Sequence, residues 1–556
     1  MNKREETPLI GALEDYRDNR KIKMHMPGHK GGQGFPQWFG ENLAQYDFTE
    51  IPGLDNLHNP KSVIKSSLDK CAKAFGARKS FYLVNGSTSG IHAMLISAFN
   101  KGDKLLVQRD CHQSVINGLI LFGIQPIFIM PGYNETWHVK TPAGMEAWEK
   151  ALSENSDVKG AIVTSPDYFG ICAPLHELAD LLHKKGKILL VDEAHGAHFV
   201  CSSRLPPTAL EQGADLCVQS FHKTMSALTQ AAVLHIGSTR VPESRIKLAV
   251  SMLTTTSPSY PIMASMEYAT EFVQTKGGIK YDELIGMLDK MKNDLGRMKK
   301  LKLLPDEKQG LRRDPTRLVI DAYNSNISGF VLYEKLDKEY GIVAEMADES
   351  HIVFIVTTAD KGEDLVCLKD SLIDLDKKID FNHEQKIGNE EESGKKIDLN
   401  QEKEFDRRME FGKRIEFGKR IELDKKIDLD KKIEMGQKVD KDQKIDLARQ
   451  SKSNKNNKNA FSMLPIPIHP EEYFIPELST YLDGHIIDVP LSCAEGYKNA
   501  GMITPYPPGI PYLCPGETIT KEHIYALSNM VMQKCEVHGL IIPEDGTESR
   551  IGVFIE

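Results

Sequence analysis

The length, composition and charge of the chain set the first limits on what it can be. Its 556 residues are too many for a single hydrophobic core and predict two or three domains. Hydrophobic residues make up 40% and charged residues 27%, as in an ordinary folded protein. The net charge of -9 gives no reason to expect a nucleic-acid partner.

The cysteines and the hydropathy pattern exclude two further classes of protein. Nine cysteines are scattered without a CxxC pair, so neither a metal site nor a disulfide framework is predicted. No stretch reaches the roughly 18–20 apolar residues that a membrane span needs. The N-terminal sequence also lacks the apolar centre of a signal peptide. We therefore expect a cytoplasmic protein without a membrane partner.

The chain divides into segments of different character. Residues 1–60 are polar, rich in Gly and Pro, and contain MHMPGHKGGQGFP, which predicts an N-terminal arm. Residues 61–300 alternate short apolar runs with amphipathic stretches of helix length. This alternation is typical of a large domain with a mostly parallel sheet and helices on both faces. Residues 301–368 predict a small α/β domain, and residues 461–556 a C-terminal domain.

The predicted sheet of the large domain is defined by seven apolar runs. Ligands of such sheets bind at the carboxyl ends of the strands, so functional side chains are sought where these runs end. The runs are FYLVNG (81–86), KLLVQRD (104–110), PIFIMP (126–131), GAIVTSP (160–166), KILLVDEAHG (187–196), DLCVQSFHK (215–223) and AVLHIG (232–237).

Residues 369–460 differ in kind from the rest of the chain and are predicted to be an insert followed by a linker. Residues 369–446 form successive six-residue blocks, of which FGKRIE (411–416) and LDKKID (423–428) are well kept. A period of six does not give one apolar stripe on a helix of 3.6 residues per turn. The composition favours a low-complexity insert that is disordered or weakly ordered. A short repetitive β-structure or an oligomer contact is the alternative.

Two charged residues follow strands of the predicted sheet. Lys223 ends the run DLCVQSFHK, next to Ser220 and His222. Burial lowers the pKa of an amine and makes it a nucleophile that can form a Schiff base. Asp192 ends the run KILLVD, where its carboxylate could bind a protonated ring nitrogen. A surface lysine and a turn aspartate are the ordinary explanations of each residue taken alone.

Two motifs that follow earlier strands complete the pattern. NGSTSG (85–90) lies between a strand and a helix, where Ser87, Thr88 and free backbone N–H groups can bind a phosphate. A plain helix N-cap would also explain these hydroxyls. His112 follows the next strand and is placed to lie flat on a cofactor ring. The order of phosphate loop, histidine, aspartate and lysine indicates a site for pyridoxal 5'-phosphate (PLP).

On these motifs the chain resembles the PLP-dependent ornithine/lysine/arginine decarboxylase family, and its shorter bacterial members most. The resemblance covers nearly everything except residues 369–460. It implies the PLP-dependent transferase fold type I, an α/β fold with a mostly parallel sheet in the large domain, smaller α/β C-terminal domains and, here, the hexad-repeat insert. The motifs that carry it are MHMPGHKGG (24–32), NGSTSG (85–90), RDCHQS (109–114), VDEAHGAHF (191–199), QSFHKT (219–224), TTTSPSY (254–260) and YPPGIPYLCPGE (506–517).

The resemblance implies how the cofactor ring is held. Lys223 is expected to carry PLP as a Schiff base, and Asp192 to pair with the pyridine nitrogen. His112 is expected to stack on one face of the ring. Ala194 is expected to pack against the ring as well.

Roles for the groups around the ring also follow from the resemblance. Ser87, Thr88 and Ser220 are expected to hold the phosphate. His195 is expected to approach the phenolic oxygen of the cofactor or the substrate carboxylate. His222, beside the Schiff-base lysine, is expected to supply a proton during turnover.

The family's sites lie at subunit interfaces, so the resemblance implies a homodimer or a higher homo-oligomer. Thr255 and Ser257 would then reach a neighbouring subunit's phosphate. Gly28 and His29 would bring the N-terminal arm near the same interface.

The reaction implied by the resemblance is the decarboxylation of a basic amino acid to the amine and CO₂, feeding polyamine synthesis. Arginine is favoured, then lysine or ornithine. The partner is thus a small-molecule basic amino acid. Its distal cation would need carboxylates near the mouth of the site, for which Glu345, Asp348 and Glu495 are candidates.

Two other functions compete with decarboxylation. A fold type I aminotransferase would share every cofactor residue but would need an arginine that binds the substrate carboxylate in the plane of the ring. Arg312, Arg313 and Arg317 are present in the small domain for that role. A non-catalytic scaffold that carries the repeat insert is the third possibility, against which the intact lysine, aspartate and phosphate loop argue.

Overall fold

The structure is a computed structural model, and the part of the chain that it describes leaves several gaps. The described residues through Lys377 and those of the C-terminal segment form one compact unit. The hexad blocks beyond residue 393 and the linker at 451–459 lie outside the described residues. The described ranges are 7–19, 21–308, 311–393, 476, 478, 486–505, 509–532, 535–543 and 548–554.

The strands are numbered here in chain order. Those of the N-terminal arm and large domain are β1 Ile22–Met24, β2 Lys79–Leu83, β3 Lys104–Gln108, β4 Gln125–Ile129, β5 Gly132–Asn134, β6 Val139–Thr141, β7 Gly160–Thr164, β8 Ile188–Asp192, β9 Leu216–Gln219 and β10 Ala232–Ile236. Those that follow are β11 Lys302–Leu303, β12 Glu307–Lys308, β13 Leu311–Arg312, β14 Arg317–Asp321, β15 Ile342–Ala344, β16 Met346–Ala347, β17 His351–Ile355, β18 Ile486–Pro490, β19 Thr504–Pro505, β20 Val537–His538, β21 Leu540–Ile541 and β22 Arg550–Phe554.

The helices are numbered in the same way. They are α1 Pro8–Asp18, α2 Gln37–Glu41, α3 Val63–Ala74, α4 Gly86–Ala98, α5 Gln113–Phe122, α6 Met145–Glu154, α7 Leu175–His183, α8 Phe221–Thr224, α9 Glu243–Leu253, α10 Tyr260–Phe272, α11 Gly278–Leu295, α12 Gly329–Tyr340, α13 Gly362–Ser393 and α14 Lys521–Met532. Within the described residues, no helix is long and apolar enough to cross a membrane.

The large domain is built on a seven-stranded sheet in the order β2-β10-β9-β8-β7-β3-β4. β10 runs antiparallel to both of its neighbours, and the pairs from β9 to β4 are parallel. Each of the seven apolar runs overlaps one of these strands, so the mostly parallel sheet predicted from the sequence is confirmed. The runs are almost continuously apolar because parallel strands are buried on both faces.

Helices cover both faces of this sheet, and successive side chains of one strand show it. Leu105 and Val107 of β3 pack into a cluster that includes residues of α4, α5 and α9. Leu106, between them, packs with Trp148 of α6 and Leu178 of α7 instead. This alternation is the period of two of a β-strand. The sheet is thus held rigidly between two apolar layers, and its strand ends are fixed in position.

The N-terminal arm is packed on the fold, and it includes a helix, α1, that the sequence analysis did not predict. β1 pairs in parallel with β15 of the small domain. Lys30 is buried and donates to the Ile355 carbonyl at 2.7 Å. The Gly28 N–H donates to the His222 carbonyl at 2.8 Å. A Cβ at Gly28 would lie 2.7 Å from the backbone oxygen of Met225, so only glycine fits this close approach.

The small domain contains the four-stranded antiparallel sheet β11-β14-β17-β16 with α12 and α13. β14, α12 and β17 lie within residues 301–368, the segment predicted to be a small α/β domain. His351, at the start of β17, joins it to the large domain: Nδ1 is 3.1 Å from an Asp348 oxygen, and Nε2 is 2.8 Å from the Trp137 carbonyl. Since both neighbours only accept, both ring nitrogens must carry protons.

The predicted start of the insert at residue 369 falls inside a helix. α13 runs across it, and its Leu372 and Leu375 are buried in the compact unit. The Asp376 carboxylate accepts from the backbone N–H groups of Lys300 and Leu301 at 2.8 Å. Packing of the folded unit therefore continues to Asp376. Leu372 of the first hexad block and Leu375 of the second contribute to that packing, which the boundary chosen from the repeat did not anticipate.

The C-terminal segment is joined to the large domain by a buried ion pair. It contains the sheet β18-β22-β21 and helix α14. Arg109, just after β3, donates to the Glu517 carboxylate at 2.9 Å and to the Pro511 carbonyl at 2.9 Å. Arg109 is fully buried, and Glu517 is nearly so. The Gln113 N–H donates to the Gly509 carbonyl, so this segment is held beside the loop that carries His112.

Candidate active site

A cavity of about 650 Å³ lies where strands of the central sheet end. Its lining comes from the carboxyl ends of β3, β7, β8 and β9, from the start of α4, and from the arm and small domain. This is the position expected for a ligand of a parallel α/β sheet. The residues predicted from the sequence that line it are Ser87, Thr88, His112, Asp192, Ala194, His195, His222 and Lys223.

Lys223 faces this cavity from the short helix α8, which begins directly after β9. Its Nζ lies 3.0 Å from Nε2 of His195. Burial lowers the pKa of Lys223, although Asp192 and Glu345 oppose that change by favouring the charged amine. A buried lysine with a lowered pKa at a strand end is the environment that an amine nucleophile needs.

Asp192 is the last residue of β8 and is almost fully buried. Its carboxylate accepts from the Ala194 N–H at 3.1 Å, which fixes the turn that follows the strand. Burial raises the pKa of Asp192, while Lys223 acts in the opposite direction. A carboxylate in this position would be stabilised by a ligand that brings a positive charge, as a protonated pyridine nitrogen does.

The predicted phosphate loop lies at the N-terminus of α4. Gly86 begins the helix with a positive φ of 77°, and Ser87 and Thr88 follow it at the cavity wall. The N–H groups of a first helical turn have no acceptor within the helix and point towards an anion. The geometry therefore offers backbone donors and two hydroxyls to a phosphate.

Two buried hydroxyls near this cavity lack a partner among the described residues, and they test whether PLP fits. Ser220 Oγ is fully buried directly before the Lys223 helix, and Thr164 Oγ1 is buried at the end of β7 beside Asp192. Buried polar groups are almost always hydrogen-bonded, so such atoms point to an absent ligand. Together with the helix N-terminus, Asp192 and Lys223, they fit a phosphorylated pyridine aldehyde.

His112 is held at the N-terminus of α5. The Ser114 N–H donates to its Nδ1 at 3.2 Å, so Nδ1 is an acceptor and the neutral ring carries its proton on Nε2. Burial lowers the pKa of His112 to about 3, with a further contribution from Lys223. The ring is therefore neutral and fixed in orientation, as a stacking residue should be.

The hydrogen bonds of His222 determine which of its ring nitrogens carries the proton. Its Nδ1 lies 3.0 Å from the Ala231 carbonyl and must donate to it, so Nε2 of the neutral ring is an acceptor. Burial lowers the pKa of His222 to about 4, so the neutral form prevails at neutral pH. In this form His222 can accept a proton at Nε2. Supplying one, as predicted, requires that Nε2 be protonated first.

Other cavity residues were missed in the sequence analysis. Gln108 and Asp110 at the end of β3 and Thr164 at the end of β7 follow the same strand-end rule that identified Asp192. The rule could have found them. Tyr333 and Ile510 could not be found in this way, because α12 and the C-terminal segment reach the cavity only through tertiary packing.

The remaining predicted residues lie near the cavity or away from it. Thr255 and Ser257 are exposed, and the Thr255 N–H donates to the Asn85 side chain beside the phosphate loop. Of the three candidate acidic residues, Glu345 lines the cavity. Asp348 instead accepts hydrogen bonds from the backbone of Ser350 and His351. Glu495 forms an exposed ion pair at 3.7 Å with Lys521.

Comparisons with known proteins bear on this site. The family model described as "Orn/Lys/Arg decarboxylase, major domain" matches residues 7–308, and that of the family's C-terminal domain matches residues 466–546. The chain belongs to the Orn/Lys/Arg decarboxylase family. The family predicted from the sequence motifs is thereby confirmed, and as a member of it the protein is an amino-acid decarboxylase.

Individual relatives extend over most or all of the chain. An arginine decarboxylase of Bacillus anthracis is 29% identical over 99% of this chain and 98% of its own. An arginine decarboxylase of Bacillus cereus is 34% identical over 66% of this chain and 82% of its own. The crystal structure of the lysine decarboxylase LdcF of Francisella novicida matches with a TM-score of 0.67 at 19% identity, covering 99% of this chain and 84% of that one. This structural likeness confirms the predicted fold.

Proposed function

We propose that the protein is a PLP-dependent decarboxylase that converts a basic amino acid, preferentially L-arginine, to the amine and CO₂. The observation that carries the proposal is the meeting of Lys223, Asp192 and the N-terminus of α4 at one cavity. A nucleophilic amine, a carboxylate for a ring nitrogen and an anion site are the three groups that PLP requires. Membership of the decarboxylase family supports the reaction.

The residues of this chain divide the work at the site. When bound, PLP supplies an electron sink for the pair of electrons that remains as the substrate carboxylate leaves as CO₂. Ser87, Thr88 and the first turn of α4 would hold its phosphate, and Asp192 would keep its ring nitrogen protonated. His112 would fix the plane of the ring. His222, with a free acceptor at Nε2, can hold a proton at the cavity wall and return it.

Glu345 is the proposed ligand of the substrate's distal cation. It lines the cavity, and its carboxylate accepts from the Met26 N–H at 2.9 Å and from the Tyr168 hydroxyl. Two donors hold the carboxylate in place and leave further lone pairs for a cation. Tyr16 and Tyr333 also line the cavity, and Tyr333 interacts electrostatically with Glu345. Aromatic rings beside a fixed carboxylate suit a flat guanidinium better than an ammonium, which favours arginine.

Each arginine that an aminotransferase would use already has a hydrogen-bond partner. Arg312 donates to the Leu205 carbonyl at 2.7 Å, and Arg313 to the Phe169 carbonyl at 2.9 Å. Arg317 donates to His195. None of the three lines the described cavity. These contacts favour decarboxylation over amino transfer, because a decarboxylase must leave the carboxylate out of the ring plane.

A homodimer with its sites at the subunit interface remains part of the proposal. The exposed Thr255 and Ser257 lie beside the phosphate loop, through the Thr255 contact with Asn85. If a second subunit packed against this surface, Thr255 and Ser257 of each subunit would lie near the phosphate loops of both subunits. The cytoplasmic location and the link to polyamine synthesis stay predictions.

Purified protein with PLP and each of L-arginine, L-lysine and L-ornithine tests the proposal by release of CO₂ and amine. Arginine should give the highest kcat/KM. Glu345→Gln should lower kcat/KM for arginine roughly 10- to 150-fold, the effect of losing a charged hydrogen bond of about 1.5–3 kcal/mol. Glu334→Gln, on the exposed surface of α12, is the matched control and should change nothing. Keto-acid-dependent amino transfer without CO₂ would contradict the proposal.

A further inference from the structure

Arg317 lies behind the cavity and contacts two residues of its wall, His195 and Tyr168. It begins β14, is 1% exposed and donates from Nη2 to Nδ1 of His195 at 3.1 Å. Its Nη1 donates to the Tyr168 carbonyl at 3.3 Å. A guanidinium has five donors, no acceptor, and does not lose its proton in proteins. Nδ1 of His195 must therefore be the acceptor in this contact.

This contact decides where His195 carries its proton. A neutral imidazole has one donor and one acceptor nitrogen, so an accepting Nδ1 leaves the proton on Nε2. An accepting Nδ1 carries no proton, so the ring is not doubly protonated, and burial lowers the pKa of His195 in the same sense. Nε2 lies 3.0 Å from Nζ of Lys223. The donor in that second contact is thus His195, and an amine can accept only when it is neutral.

We propose that Arg317 is a positioning residue: it holds His195 in the tautomer protonated on Nε2, and His195 in turn donates to Lys223 and keeps it a neutral amine at the cavity. The neutral amine adds to a carbonyl carbon, forming C=N and releasing water, without first losing a proton. The use of Lys223 for this step rests on the proposed function. The hydrogen-bond chain itself does not.

Charged and titratable groups around Lys223 oppose or support this arrangement. Asp192 and Glu345 favour the ammonium form, whereas Arg317 disfavours it by charge alone. The histidines His112 and His222 also face Lys223. A charge effect of Arg317 would act with or without His195. A tautomer effect requires His195, and this difference makes the two separable.

The test measures the ionisation of Lys223 in the full chain without cofactor. Trace acetylation with acetic anhydride across pH 6 to 11, quantified by mass spectrometry of the Lys223 peptide, gives the pH of half-maximal labelling. Arg317→Met, which removes donor and charge, should move this midpoint upward. Arg317→Lys, which keeps both, should leave it close to the wild-type value. Arg313→Met is the control, since Arg313 donates only to backbone carbonyls.

A double variant separates the tautomer from the charge. In a His195→Phe background, Arg317→Met should move the midpoint clearly less than it does with His195 present, because only the charge effect of Arg317 remains once the ring is gone. An equal upward shift with and without His195, or no shift in a folded Arg317→Met protein, would overturn the proposal. Failure of the protein to decarboxylate an amino acid would not by itself overturn the proposal, because the acetylation experiment uses no substrate.

The wild-type protein offers a second measurement should Arg317→Met fail to fold. With ¹⁵N-labelled histidine, the signals of His195 are those absent from the His195→Phe spectrum. A protonated Nε2 and an unprotonated Nδ1 are expected. The reverse assignment would overturn the proposal.

Discussion

Replacement of Ser220 by alanine should have opposite effects on the empty protein and on cofactor binding. Ser220 Oγ is fully buried and has no hydrogen-bond partner among the described residues. Removing an unsatisfied buried hydroxyl costs the protein no hydrogen bond, so the unfolding free energy without cofactor should be unchanged or up to about 1 kcal/mol higher. If Ser220 binds the phosphate of PLP, a charged hydrogen bond of about 1.5–3 kcal/mol is lost, and PLP affinity should fall roughly 10- to 150-fold.

Ser80→Ala is the matched control. Ser80 is equally buried, but its Oγ lies 2.8 Å from Nδ1 of His235. Losing that partner leaves a buried polar atom unpaired, so stability should fall by about 1–3 kcal/mol, while PLP affinity is unchanged. Urea unfolding of the cofactor-free protein and PLP titration followed by tryptophan fluorescence give the two quantities. If Ser220→Ala destabilised the empty protein as Ser80→Ala does, with PLP affinity intact, the cofactor fit argued from Ser220 would be refuted.

Three further predictions concern how the arm, the C-terminal segment and the small domain are joined to the site. Gly28→Ala should sharply reduce activity because its Cβ would clash with the backbone next to the Lys223 helix. Gly40→Ala is the control and should leave activity unchanged, because the space around Gly40 is open. Equal kcat/KM values for the two variants would contradict this prediction. Glu517→Gln should lower the free energy of unfolding by about 3–5 kcal/mol because it removes the carboxylate that balances the buried charge of Arg109, and a second change, Arg109→Met, should recover part of the loss. In urea unfolding, a double variant no more stable than Glu517→Gln would argue against that reason. His351 should stabilise the fold most in acid: burial disfavours its charged form, but Asp348 and the Trp137 carbonyl outweigh burial and raise its pKa. The contribution of His351 to the free energy of unfolding is then full below about pH 6.5 and is lost as the pH rises through the pKa of the folded state. The difference in the free energy of unfolding between wild type and His351→Gln should therefore shrink from pH 6 to pH 9. A constant difference would refute this prediction.

The central sheet was predictable because burial on both faces makes each parallel strand an almost unbroken apolar run. The same rule, applied to strand ends, pointed to Asp192, Lys223 and His112, which the structure brings to one cavity. Their roles remain predictions. The rule was applied too narrowly, since Thr164 ends β7 in the same way and was passed over.

Other features depend on contacts that the sequence pattern does not encode. The hydrogen bond of His222 to the Ala231 carbonyl fixes its tautomer. Nothing in the spacing of Arg317 or Tyr333 indicates that the small domain reaches the site. The period of six concealed that α13 continues into the hexad blocks, because packing against the fold, not the repeat, determines where Leu372 and Leu375 lie.

Release of CO₂ from carboxyl-labelled L-arginine by the purified protein with PLP tests the central claim most directly. Labelled CO₂ and an equal amount of decarboxylated amine should appear with the wild type, and neither above background with Lys223→Ala. Absence of CO₂ from arginine, lysine and ornithine alike, or equal release by Lys223→Ala, would contradict the account of this cavity as a decarboxylase site.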